Sequence, residues 1–131
     1  RCFLYRQPLF MFRLASMDQD PIRRDYGERY LPDNNGILIN PATAKARGIA
    51  EGDRVRVESP YGQTQGYAYL TETVRPDAVG VGGCRGRKAP TMGADLLNDT
   101  NYNDLLCGAP GHTEPVDGAE FIHASVKVEK A

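Results

Sequence analysis

The sequence predicts a mainly β protein: about six or seven short strands closed into a barrel, with few helices and one long loop region. Three observations predict it. Gly 14 and Pro 9 are high together in a chain of 131 residues, which calls for many turns. Between the turns, apolar or alternating segments recur at strand length, not helix length. A strand, a capped single helix, a Gly turn and a second strand follow one another from Ile37 to Val57. So many short strands would leave exposed edges in an open sheet, and closure removes them.

Taken in order, Leu9-Phe10-Met11-Phe12 follows Pro8 and reads as a buried strand, too apolar to alternate. Residues 13–35 are polar and turn-rich, with a helical turn around 22–30 that Pro21 can start. Asp33-Asn34-Asn35-Gly36 is a turn. Ile37-Leu38-Ile39 is then a short strand, and Asn40 an N-cap whose side-chain oxygen can accept from a first-turn amide. Pro41 suits the first helical position, where no amide hydrogen is needed. Ala42, Ala44, Lys45, Ala46 and Arg47 are good helix formers. Gly48 ends the helix in a left-handed conformation and Ile49 turns back to the core. Glu51-Gly52-Asp53 is a tight turn into Arg54-Val55-Arg56-Val57-Glu58, which alternates as a half-buried strand does.

Pro60-Tyr61-Gly62 separates that strand from residues 63–70 and predicts a hairpin, with Tyr67 and Tyr69 on one face and Ala68 and Leu70 on the other. Val74-Arg75-Pro76-Asp77 turns into the short strand Ala78-Val79-Gly80-Val81. An irregular stretch runs from there to Glu120, longer than a compact domain usually tolerates without a functional or interfacial reason. Residues 121–129 close the chain as an alternating strand anchored by Phe121, Val126 and Val128.

Composition narrows the function. Hydrophobic residues make up 40% and charged residues 25%, ordinary for a globular domain. The net charge is −1, with cations and carboxylates interleaved, so no broad field invites nucleic acid or an anionic membrane. No apolar run is long enough to span a bilayer. The chain starts at Arg1, not Met, which favours a domain of a longer polypeptide. Cys2, Cys84 and Cys107 lack metal-ligand spacing. The two histidines, His112 and His123, suggest no dyad, and Ser16, Ser59 and Ser125 lack a nucleophile-elbow setting. Holding a ligand is therefore favoured over independent catalysis.

Three segments could hold one. Asn40 stands where a strand meets a helix, as a cap alone or as a cap that also meets a ligand. Gly82, Gly83 and Arg85 open a Gly-rich, cationic loop, Gly82-Gly83-Cys84-Arg85-Gly86-Arg87-Lys88, at a strand end. Glycines allow close backbone approach and the cations suit phosphate, but the spacing is neither a Walker loop nor a dinucleotide fingerprint. The stretch Leu96-Leu97-Asn98-Asp99-Thr100-Asn101-Tyr102-Asn103-Asp104-Leu105-Leu106 is dense in amides, which can match the edge of a heteroaromatic ring or cap a short turn.

In this order, Ile39-Asn40-Pro41-Ala42-Thr43-Ala44, Gly48-Ile49-Ala50-Glu51-Gly52-Asp53-Arg54-Val55-Arg56-Val57, the hairpin at Tyr61-Gly62, Thr73-Val74-Arg75-Pro76-Asp77-Ala78-Val79, Asn101-Tyr102-Asn103-Asp104-Leu105 and the ending from Asp117 to Glu129 resemble the C-terminal molybdopterin dinucleotide-binding domain of molybdopterin oxidoreductases of the dimethyl-sulfoxide-reductase superfamily. Gln7-Pro8-Leu9-Phe10-Met11-Phe12 corresponds to that domain's first strand. The resemblance covers nearly the whole chain. It implies a double-psi β-barrel, aspartate-decarboxylase-like, with residues 1–131 as one domain in the C-terminal part of a longer catalytic subunit.

It further implies a role in binding bis(molybdopterin guanine dinucleotide) carrying molybdenum or tungsten, with the metal ligand and any iron–sulfur cluster outside this chain. Arg13, Leu14, Ala15 and Ser16 would approach the cofactor, Asn40 its nucleotide end, and Asn101 and Asn103 the pterin edge. Implied partners are the remaining domains of the subunit, with iron–sulfur and membrane-anchor subunits, and neither nucleic acid nor direct membrane contact. A soluble location in cytoplasm or periplasm is left open. Two departures stand out: Gly82-Gly83-Cys84-Arg85-Gly86 replaces a His-Gly-aromatic stretch, and Ile122 follows Phe121 where the family often has Lys. The alternative is a double-psi barrel that recognises proteins, as in some AAA ATPases, which carry a unit like residues 41–55.

Overall fold

The computed structural model describes residues 1–5, 21–30, 36–82, 100–109, 111–112 and 123–131. Within them lie strands β1 (Cys2–Tyr5), β2 (Gly36–Ile39), β3 (Arg54–Glu58), β4 (Gln63–Leu70), β5 (Val79–Gly82), β6 (His123–Ala124) and β7 (Lys127–Lys130). Helix α1 spans Pro21–Tyr30, α2 spans Pro41–Ala46, and a 3-10 turn spans Tyr102–Leu105.

The strands form one sheet in the order β6-β1-β5-β2-β4-β3-β7. β1 with β5, and β2 with β4, pair in parallel; the other neighbours are antiparallel. β6 and β7 stand at opposite ends of this order, yet only Ser125 and Val126 separate them in the chain. The two ends of the sheet must therefore lie side by side, and the sheet curls into a barrel. The closing strand expected over 121–129 is thus two short strands: one pairs with β1, the other with β3. A strand that joins both ends of a curled sheet must change partners, and the chain bends to do so. Val128 is buried and Val126 packs against the core as expected, while Phe121 lies outside the described residues.

β2 runs between β5 and β4, and all four of its residues are buried. Ile37, Ile39, Val55, Val57, Val81 and Leu105 are the large side chains at the centre. The β3–β4 hairpin forms as expected. Ala68 is buried and Tyr67 exposed, so the two faces divide as their alternation predicts. The seam between β3 and β7 carries ion pairs on its outer face: Arg56 with Glu129, Lys130 with Asp53, and Lys127 with Glu129. Helix α1 starts at Pro21, as the sequence predicts. The expected strand at residues 9–12 lies outside the described residues; β1, which ends at Tyr5, is the strand the sequence pattern did not single out.

Candidate functional site

The register of β4 gives the barrel two polar ends. β2 and β4 run in parallel, with Ile39 beside Leu70 at one end and Gly36 beside Tyr67 toward the other. Asn40 follows Ile39. Its backbone is extended (φ −66, ψ 136), and its Oδ1 accepts from the Ala42 amide at 2.9 Å, so it caps α2. Its Nδ2 donates to the Val74 carbonyl at 2.7 Å. The Thr43 hydroxyl donates to the Pro76 carbonyl, and the Thr71 and Thr73 hydroxyls lie 2.9 Å apart. These bonds stitch the start of α2 to residues 71–77. Gly48 takes the left-handed conformation that ends the helix (φ 66). A shallow groove of about 100 Å³ opens beside this junction, walled in part by Thr43, Arg47, Asp77 and Val126.

The other end gathers the amide-rich segment. Thr64, near the start of β4, is buried, and its hydroxyl accepts from the Asn101 amide at 2.8 Å. The Thr100 hydroxyl donates to the Gln65 carbonyl at 2.9 Å. Asn101 is again an extended cap (φ −125, ψ 111): its Oδ1 accepts from the Asn103 amide at 3.1 Å, and its Nδ2 donates to the Asp104 carboxylate at 2.9 Å. Tyr102 and Leu105 plunge into the core, whereas Asn103 stays exposed. The hairpin tip is folded by Ser59, whose hydroxyl accepts from the Tyr61 and Gly62 amides. Tyr61 meets His112 edge-to-face with ring centres 5.4 Å apart.

Gly82 closes β5 at this same end, opposite Tyr5 of β1, whose hydroxyl donates to the Gly36 carbonyl at 2.8 Å. The structure thus brings Gly82, Asn101 and Asn103 to one end and sets Asn40 at the other. Six residues of β4 separate the levels of Thr64 and Leu70, about 20 Å at the usual rise of a strand. Arg13, Leu14, Ala15, Ser16, Gly83 and Arg85 lie outside the described residues. Sequence inspection missed Gly62, Thr64 and Gly66 as parts of this end. Each contacts a residue 34 or more positions away, and no local pattern marks such a contact.

Burial sets the ionisation of the interior. The Cys2 thiol is pushed up to about 12 by burial, against the lowering pull of the N-terminal charge. Burial also raises the Tyr102 phenol to about 12, with the Cys2 thiol adding to it. Both are neutral at physiological pH and act as packing groups, and a thiol so protonated is a poor nucleophile. On the seam, the Lys130 hydrogen bond holds Asp53 below the usual carboxylate range, and those of Lys127 and Arg56 do the same for Glu129. Among the described residues, no cluster of three or more His, Cys, Asp or Glu could hold a metal ion, and no helix is long and apolar enough to cross a membrane.

Comparison with known proteins gives this geometry a family context. Residues 20–121 match the family model of the molydopterin dinucleotide binding domain, a span that includes both polar ends. The thiosulfate reductase molybdopterin-containing subunit PhsA of Salmonella typhimurium is 32% identical over 98 residues, covering 75% of this chain and 12% of that protein. The arsenate respiratory reductase molybdopterin-containing subunit ArrA of Chrysiogenes arsenatis is 36% identical over 106 residues, covering 72% of this chain and 12% of that protein. The chain thus spans about an eighth of the length of these relatives. Among solved structures, acetylene hydratase from Pelobacter acetylenicus superposes over 99% of this chain and 18% of its own, with a TM-score of 0.75 at 19% identity. The fold is the double-psi β-barrel, and the matches favour a cofactor domain over a protein-recognition domain.

Proposed function

The chain belongs to the molydopterin dinucleotide binding domain family, and from that premise we propose that it holds bis(molybdopterin guanine dinucleotide), with molybdenum or tungsten, as the C-terminal domain of an oxidoreductase's catalytic subunit. The observation that carries this reading is the family match across both polar ends.

The donor set suits such a ligand. Pterin and guanine both present a pyrimidine edge that alternates hydrogen-bond donors and acceptors, and a side-chain amide carries one of each kind of atom. Asn103 exposes such an amide beside Asn101, on the end where Gly82 also sits. Asn40, after its two bonds, retains one amide hydrogen and spare acceptor capacity at the other end. An extended molecule with a ring system at each end of a diphosphate suits two amide-bearing ends about 20 Å apart. Arg13, Leu14, Ala15, Ser16, Gly83 and Arg85 complete the proposed set.

When bound, the metal of the cofactor supplies two-electron redox chemistry. This chain's residues bind and orient: amides read ring edges, and the rigid barrel fixes where those amides stand. The proposed partners are the remaining domains of the subunit, then iron–sulfur and membrane-anchor subunits.

The test is the nucleotide content of the protein purified from a host that makes the molybdenum cofactor. Acid release should yield guanine nucleotide and a fluorescent pterin in stoichiometric amounts. Neither appearing above the background of an unrelated protein would contradict the assignment.

A further inference from the structure

We propose that Thr64, flanked by Gly62 and Gly66 on the β3–β4 hairpin, is a positioning residue that aims the Asn103 amide at the ligand's pterin edge, with Asn101 acting through this platform. The inference rests on the function proposed above and deepens it.

Consecutive residues of the amide segment are pinned to consecutive residues of β4. Thr100 donates to Gln65 and the Asn101 amide donates to Thr64, at 2.9 and 2.8 Å. Two glycines make this approach possible. A Cβ on Gly66 would come within 2.5 Å of the Thr100 hydroxyl oxygen, and one on Gly62 would run into the Asp104 backbone carbonyl. Below the contact, Tyr102 and Leu105 lock the turn into the core.

The side chain of Asn101 is engaged at both of its atoms, by the Asn103 amide and the Asp104 carboxylate. Asn103 is the exposed amide of the pair, and its own backbone is held by Asn101. Restraint therefore passes from β4 through the Thr64 hydroxyl to Asn101 and on to Asn103. A ligand-reading group gains affinity when a supporting layer fixes its direction, because less freedom is lost on binding.

The experiment titrates the ¹⁵N-labelled full chain with 6-hydroxymethylpterin and follows the Asn103 side-chain amide. Thr64→Val keeps the shape and removes the acceptor; Thr64→Ser keeps the acceptor. Thr64→Val should weaken pterin binding roughly tenfold, the scale of one lost hydrogen bond, and move the midpoint of the ligand-induced shift of Asn103 by the same factor. Thr64→Ser should bind within about twofold of the parent. Each variant is measured where its spectrum shows a folded protein, so loss of stability alone does not produce the result. Should Thr64→Val not fold, Thr100→Val removes the other pin from the loop side and should weaken binding in the same direction.

Unchanged affinity in Thr64→Val, despite a displaced Asn101 amide signal, would overturn the proposal, as would Thr64→Ser binding as weakly as Thr64→Val. If Asn103→Asp binds like the parent while Thr64→Val does not, the platform serves another group and the proposal is equally overturned. A parent chain that binds no pterin at all would instead count against the function itself.

Discussion

The two polar ends of the barrel use the same device and differ in what holds it. At one end Asn40 caps α2; at the other Asn101 caps the 3-10 turn, each accepting from the amide two residues on. The Asn40 junction is built mostly inside one continuous stretch, in which strand, cap, helix and Gly turn follow in order. The Asn101 turn is too short to stand by itself. It exists because the β3–β4 hairpin offers a hydroxyl, a carbonyl and two positions without side chains. One end is therefore formed by local sequence and then stitched to residues 71–77, whereas the other is assembled by tertiary contact, so damage to the core should strike them unequally.

The sharpest break is Leu105→Ala. Leu105 is fully buried beneath the amide segment, and its truncation should cost about 3 kcal/mol of stability, measured by urea unfolding. Proton exchange at the Asn101 end should accelerate first, before the Asn40 junction responds. Gly62→Ala comes next: the added carbon meets the Asp104 carbonyl, and displacing that turn should cost about 2 kcal/mol. If Gly62→Ala is neutral, the close approach does not constrain the segment. Asn40→Ala loses the cap and the bond to the Val74 carbonyl and should cost about 1–2 kcal/mol, with the spectrum of residues 100–106 unmoved.

The smallest effects are at acid pH. Asp53 and Glu129 have folded values below their ordinary 3.8 and 4.5, so their contribution is present above about pH 4.5 and is lost as pH falls through the lowered values. Both are on the exposed seam, so a unfolding midpoint measured at pH 3 should drop only slightly relative to pH 6, and salt should blunt the difference. At the alkaline side the direction reverses. Cys2 and Tyr102 ionise near 9.0 and 10.0 when unfolded and at about 12 when folded, so stability should decline as pH climbs from about 9 toward 12.

What could be read from the chain follows the same division. The unit from Ile37 to Val57 was legible because capping, helix propensity, left-handed Gly and strand alternation are all local. The hairpin and the turn before β5 were legible for the same reason. The split of the final strand into β6 and β7 was not, since a change of partner at Ser125 and Val126 depends on which strands stand at the two ends of the sheet. β1 was passed over because Cys2-Phe3-Leu4-Tyr5, equal in length to the run at 9–12, is less apolar. Asn101 and Asn103 were singled out by composition, but their different duties show only in three dimensions, where one amide is spent on the turn and the other faces outward.

The central claim is that the two ends receive the two ends of one dinucleotide. Its most direct measurement is a paired titration of the labelled chain, once with guanosine diphosphate and once with 6-hydroxymethylpterin, following backbone amides. The account predicts that the nucleotide shifts Asn40 and its α2 neighbours while the pterin shifts residues 101–104. Both ligands moving the same end, or neither moving any of these amides at millimolar concentration, would contradict it.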